Sequence, residues 1–172
     1  MSTNKLEIVQ KADALLRKYN TRDPFKLANE LDITILYQGM EKQKGMYFQL
    51  MKNRFVTLNS NLDEVMQAIV LAHEIGHDRI HGMDLKNGQY TFQEFNLFDL
   101  QTNRAEYEAN LFASQILLDD EEILDYFNQG FDIQQVARAM YSDINLVVFK
   151  IEALIAQGYR LRQFERKNDF LK

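Results

Sequence analysis

No cysteine occurs among the 172 residues. That absence excludes a disulfide framework and thiol chemistry, and it leaves any zinc to nitrogen and oxygen ligands. No long basic run is present either. With a formal charge of -5 and a pI of about 5.2, broad nucleic-acid binding is disfavoured, although a local patch is not excluded. The amino terminus, MSTNKLEIVQKAD, carries no apolar signal-peptide core, and no stretch approaches membrane-spanning length, so a cytoplasmic protein is expected. Histidine is scarce, with three in the chain. Aromatic residues are not: 12 phenylalanines and 8 tyrosines supply core and groove material, and a hydrophobic content of 46% suffices for one sizeable core with a small attached subdomain.

The three histidines fall together, in the stretch from Asn61 to Gly82. Leu62, Val65, Met66, Ile69, Val70 and Ala72 or Ile75 recur at helical spacing. Asn61 is placed to cap this helix, Glu64 to close a capping box, and Gly82 to stop it after His81. His73 and His77 then stand one turn apart, separated by about 6 Å of rise and about 40° of rotation. Two imidazoles so placed can reach one zinc, and Glu74 beside them can take a proton from water. This is the H-E-x-x-H arrangement of zinc peptidases. Reading both histidines as ordinary residues of a plain helix leaves unexplained why Glu74 interrupts Ala72 and Ile75.

The rest of the chain alternates short elements. Lys5 to Lys18 predicts an amphipathic helix through Leu6, Val9, Ala12 and Leu16. Asp23 caps a second helix with Pro24 in its first turn. Asp32 to Tyr37 reads as a strand, and Met46 to Met51 with Phe55 to Leu58 as a hairpin around Lys52-Asn53-Arg54. A three-stranded antiparallel sheet ahead of the histidine helix is expected. Met83 to Leu100 mixes Gly88 and Asn87 with Phe92, Phe95, Leu97 and Phe98, as expected of a loop serving as groove wall or lid or simply packing down. From Thr102, a possible cap, Ala105, Ala109, Phe112, Ala113, Ile116 and Leu117 form another helical stripe.

Three helices follow. Asp119 or Asp120 caps the first, Asp132 with Gln135 makes a capping box for the second, and the third runs from about Asp143 to Gln157, ended by Gly158. The last two suggest a helix-turn-helix, but Asp143 to Ile155 is too apolar to present a polar face to base edges, so direct DNA reading is disfavoured. Tyr159 to Lys172 reads as a solvated tail.

Two histidines need a third protein ligand. Glu106 and Asn110 lie four apart on one helical face, so Glu106 can point at the metal while Asn110 holds the free ring nitrogen of a histidine. Glu108, about 200° round from Glu106, is expected to face away. His81 would stand about 12 Å of rise from His73 on an unbroken helix, which suits a structural or substrate-side role better than a shared ion. Glu106 is the expected ligand, with Glu108 and His81 as alternatives. Gly76 is expected to let another element approach closely, with the Glu106 helix the leading candidate. His81, Tyr90 and Tyr107 are candidate donors to an oxyanion, and Phe92 to Phe98 with the sheet edge a candidate specificity surface.

At these residues the chain resembles the ImmA/IrrE-type metallopeptidases, gluzincin-like proteins of bacteria, phages and integrative elements. The likeness lies in Leu71-Ala-His73-Glu-Ile-Gly-His77 and Glu106-Tyr-Glu-Ala-Asn110-x-Phe112-Ala113, with Asp23-Pro24-Phe25 and Leu117-Leu118 extending it over roughly residues 20 to 120. Asp119 departs from it, where many relatives place proline. The expected fold class is α+β: a metallopeptidase domain over residues 1–120 with a small antiparallel sheet before the histidine helix, and a helical subdomain over 121–172 packed on it. The resemblance implies a zinc endopeptidase with His73, His77 and Glu106 as ligands and Glu74 as base. Its implied partner is a repressor-like protein, cleaved to release its operators. A non-cleaving antirepressor that binds through the same fold is the alternative, and a structural or DNA-associated regulator a weaker third.

Overall fold

A computed structural model describes residues 4–82, 92–94 and 104–161, with backbone only at 92–94. Helix α1 (Lys5–Tyr19) starts at Asn4, whose side chain accepts from the Leu6 amide, and ends where Asn20 turns left-handed at φ 50°. Helix α2 (Pro24–Glu30) begins as the sequence predicts, with the Asp23 carboxylate accepting from the Phe25 amide at 2.9 Å. Strands β1 (Ile33–Gln38), β2 (Gly45–Leu50) and β3 (Asn53–Asn59) follow, and Met51 and Lys52 both take positive φ in the two-residue turn between β2 and β3.

The sheet differs from the expected three antiparallel strands. Its order is β1-β3-β2-β4, where β4 (Phe92–Glu94) pairs antiparallel with β2, and β2 pairs antiparallel with β3. β1, however, pairs parallel with β3, Ile35 facing Val56 in register. The tight hairpin fixes β2 against β3 but leaves the far side of β3 open, and β1 takes it. β3 is accordingly a central strand, buried from Val56 to Asn59, whereas Leu36 and Tyr37 of β1 are exposed on the edge.

Helix α3 (Glu64–His81) is capped by Asp63, whose carboxylate accepts from the Met66 amide at 2.8 Å, two residues later than Asn61. Asn61 serves the preceding turn instead, its amide bound to Asn59 Oδ1. Gly82 ends the helix as expected. Rather than offering one apolar face, α3 is buried on all sides from Ile69 to Asp78. The sheet and α2 pack on it from one side and α4 (Arg104–Leu117) from the other. Where α3 and α4 meet, a β-carbon on Gly76 would stand 3.1 Å from the Ala109 Cα and 3.3 Å from Phe112 Cδ1, so the close approach expected at this glycine is made by the Glu106 helix.

Helices α5 (Asp120–Asn128), α6 (Ile133–Ala139) and α7 (Ile144–Ala156) complete the chain, capped by Asp119, by the Asp132/Gln135 box and by Asp143. α7 packs on α4 and α1, and one continuous core joins Ile8, Leu71, Phe112 and Leu154. Among the described residues no helix is long and apolar enough to cross a membrane. The stretch read as loop, groove wall or lid lies outside the described residues apart from the β4 backbone, as do Tyr90, Thr102 and the tail beyond Leu161.

Candidate metal centre

Helical spacing puts His73 and His77 on one side of α3, and the Gly76 contact brings α4 against that side. Their ligand atoms converge. His73 Nε2 lies 3.0 Å from His77 Nε2 and 3.1 Å from Glu106 Oε2, and His77 Nε2 lies 3.4 Å from Glu106 Oε1. Among the described residues these three form the group able to hold a metal ion, each offering one ligand atom, all within 4.8 Å of one another. Their relative exposures are 0, 1 and 8%.

Asn110, one turn beyond Glu106, accepts from His73 Nδ1 at 2.8 Å. With the proton held on Nδ1, the Nε2 lone pair is directed at the other two donors. His77 is kept neutral by its surroundings. Burial pushes its pKa down to about 4, against the upward pull of the Glu106 carboxylate, and the neighbouring His73 adds to the fall. The two imidazoles and the carboxylate come close enough for one ion to reach a ligand atom of each. This donor set suits a divalent ion that accepts nitrogen and oxygen ligands.

Glu74 is fully buried one residue beyond His73. Its Oε1 lies 3.2 Å from where a β-carbon on Gly45 would stand, and that carbon would also overlap Val70 Cγ1. Glycine at the start of β2 thus makes the room in which this carboxylate sits, a requirement that one residue in a strand does not announce.

The other residues singled out from the sequence are placed as follows. Glu108 is outside the convergent set but does not face solvent: it is buried, bound by Arg104 Nε at 2.6 Å and 3.7 Å from His81 Nε2. His81 extends the histidine row, its ring centroid 5.7 Å from that of His77. Tyr107 turns to the α7 side of α4, where its hydroxyl donates to Glu152 and its ring meets Phe149 edge-on. Burial, reinforced by the Glu152 hydrogen bond, raises its pKa to about 12, so it stays a donor committed to that partner.

Sequence reasoning missed Asp78. Buried beside His77, it accepts from Tyr47 Oη at 2.6 Å, Arg54 Nη1 at 3.3 Å and Arg79 Nε at 2.7 Å. Arg54 also donates to the Leu31 carbonyl, so this network ties α3 to β2, β3 and the end of α2. The available signal was an acid next to a ligand-spaced histidine; its partners, 24 and 31 residues away, could not be read from spacing.

An α+β fold that buries a His/His/Glu cluster between two helices and a small sheet defines a metallopeptidase-like class. The comparisons with known proteins agree. The chain matches the IrrE N-terminal-like domain over residues 28–150 and belongs to the ImmA/IrrE metallopeptidase-like family. It is 30% identical over 124 residues to uncharacterized immunity region protein 2 of Bacillus phage phi105, covering 72% of this chain and 75% of that protein. It is 27% identical over 135 residues to metallopeptidase ImmA of Bacillus subtilis strain 168, covering 76% and 75% respectively.

Proposed function

We propose that this protein is a zinc-dependent endopeptidase that cleaves a repressor-like regulatory protein. One observation carries the reading: His73 and His77 of α3 converge with Glu106 of α4 on one buried point, and the residue after His73 is a buried carboxylate, Glu74. In it His73, His77 and Glu106 hold the ion and Asn110 fixes the His73 tautomer. Zinc at such a site supplies Lewis acidity, lowering the pKa of water and polarising a carbonyl. The Glu74 carboxylate accepts the proton of the attacking water and returns it to the leaving amine nitrogen, without a covalent enzyme intermediate. Binding alone needs no carboxylate buried beside a metal, which favours hydrolysis over a non-cleaving antirepressor. The substrate class rests on the family and on relatives named as an immunity region protein and a metallopeptidase. The peptidase fold is assigned to residues 1–120, with 121–172 packed on it.

The test compares zinc-loaded wild type with Glu74→Gln, which keeps shape and loses the base. Each is mixed with helix-turn-helix repressors encoded beside the gene, following intact mass and operator release. Cleavage by wild type alone is expected. Operator release by both proteins without fragments would replace the peptidase with a binding antirepressor, and no effect on any repressor would remove the substrate class.

A further inference from the structure

Glu106 is the third residue of α4. First-turn residues lack intrahelical partners for their amides and are the first to fray, so the helix alone does not fix the direction of this carboxylate. The lever is steep. A side-chain end about 6 Å from the helix axis moves about 2 Å for each 20° of rotation, whereas metal–ligand distances tolerate about 0.2 Å.

The next residue restrains that turn. Tyr107 projects about 100° round from Glu106, and its hydroxyl donates to Glu152 Oε2 of α7. The same oxygen accepts from Lys5 Nζ of α1 at 2.8 Å. The Lys5 ammonium lies 5.3 Å from the Tyr107 ring centroid, and the Phe149 ring meets that ring edge-on with centroids 5.4 Å apart. Three helices therefore meet at one carboxylate oxygen, immediately behind the residue that carries the proposed third ligand.

We infer that Glu152, through Tyr107, is a positioning residue for the metal centre: it locks the rotation of the first turn of α4 and so aims Glu106 at His73 and His77. The inference rests on the proposed metal site and gives the carboxy-terminal helices a task in it. It also gives a task to Glu152, the one acidic residue of α7.

The experiment measures zinc affinity by competition with a chromophoric chelator, at a temperature where wild type, Tyr107→Phe, Glu152→Ala and Glu152→Gln are all fully folded by circular dichroism. Tyr107→Phe and Glu152→Ala are expected to weaken zinc binding on the order of tenfold, as loss of an outer-shell partner does. Their double variant should be no weaker than either single, because both remove one interaction. Glu152→Gln should stay within about threefold of wild type, since its amide carbonyl still accepts the tyrosine hydroxyl. Should Glu152→Ala not fold, Tyr107→Phe against wild type decides the question. Wild-type affinity in the folded variants, with only the melting temperature lowered, would overturn the inference while leaving the metal site intact. Glu152→Gln as weak as Glu152→Ala would overturn the hydrogen-bond basis. A wild type that binds no zinc would overturn the site and the inference together.

Discussion

Lys150 predicts that this protein becomes more stable as the solution turns mildly alkaline. The ammonium is completely buried, donating to Gln115 Oε1 at 2.6 Å and to Asp120. Gln115 in turn donates to Asp13 Oδ1 at 2.8 Å, so α1, α4, α5 and α7 share one polar junction. Burial outweighs the attraction of Asp120, and Arg22 adds repulsion, so the Lys150 pKa falls to about 8 from its usual 10.5. Because the folded value is depressed, the unfolded chain holds more protons between these limits, and stability must rise with pH across that window. Below pH 8 both states are charged and the slope vanishes. The full difference corresponds to about 3 kcal/mol. The useful range stops near pH 10, because Tyr47 and Tyr107 are both raised above the ordinary tyrosine value and oppose the trend beyond it. Urea unfolding of metal-stripped protein at pH 7 to 10 should show the rise, and Lys150→Met should abolish it. A wild-type profile that is flat or falling from pH 8 to 10, and parallel to that of Lys150→Met, would refute the reasoning.

Glu106→Gln should release most of the metal while Glu108→Gln retains it, with Asn110→Ala weakened about 10- to 100-fold through the His73 ring; metal loss in His81→Ala but not in Glu106→Gln would reverse the ligand assignment. Gly76→Ala gains about 1 kcal/mol of helix propensity but forces a methyl into contacts of 3.1 Å with Ala109, an overpacking worth about 1–3 kcal/mol. Chemical denaturation should show a net loss of stability, and chelator competition a weaker metal, since α4 is pushed from α3. Gly45→Ala should displace Glu74 and reduce turnover of a cleavable substrate more than tenfold while metal content stays near wild type; equal loss of both would place the defect in the fold.

What the sequence discloses is what short-range periodicity carries. The 3.6-residue repeat puts His73 level with His77 and Glu106 level with Asn110, and a lone glycine at the crowded point of α3 marks the crossing with α4. Caps at Asp23 and Asp132 follow from side chains that bond amides two or three residues on, and of Asp119 and Asp120 the structure takes Asp119. Asn61, expected as the cap of α3, gives way to Asp63 two residues on, because both side chains can cap and local spacing does not rank them. Long-range pairing is a different matter. A hairpin specifies β2 against β3 but not the side of β3 that β1 joins, so the parallel pair was invisible. Tyr107, a candidate oxyanion donor in the sequence, adjoins Glu106 but is turned about 100° from it on the helix, here toward Glu152. The partners of Lys150 and Asp78 are likewise set by which helices pack together.

The proposed centre therefore draws its shape from both flanks of α3. On the α4 side, Asn110 fixes His73 and the Gly76 contact sets the separation of the ligand-bearing helices. On the sheet side, Tyr47 and Arg54 hold Asp78, the residue after His77, and Gly45 gives Glu74 its place. Each restraint is made by a group that is not a ligand, and each belongs to the core or to the sheet. Preorganisation of this kind matters for hydrolysis, because a water-activating carboxylate works only within hydrogen-bond reach of the proton it takes. It also accounts for the polar burial that an apolar core would otherwise not tolerate: Glu74, Asp78, Glu106 and Asn110 are all buried near the two histidines, and burying so many polar groups in one place costs stability unless they are hydrogen-bonded, paired or bound to an ion.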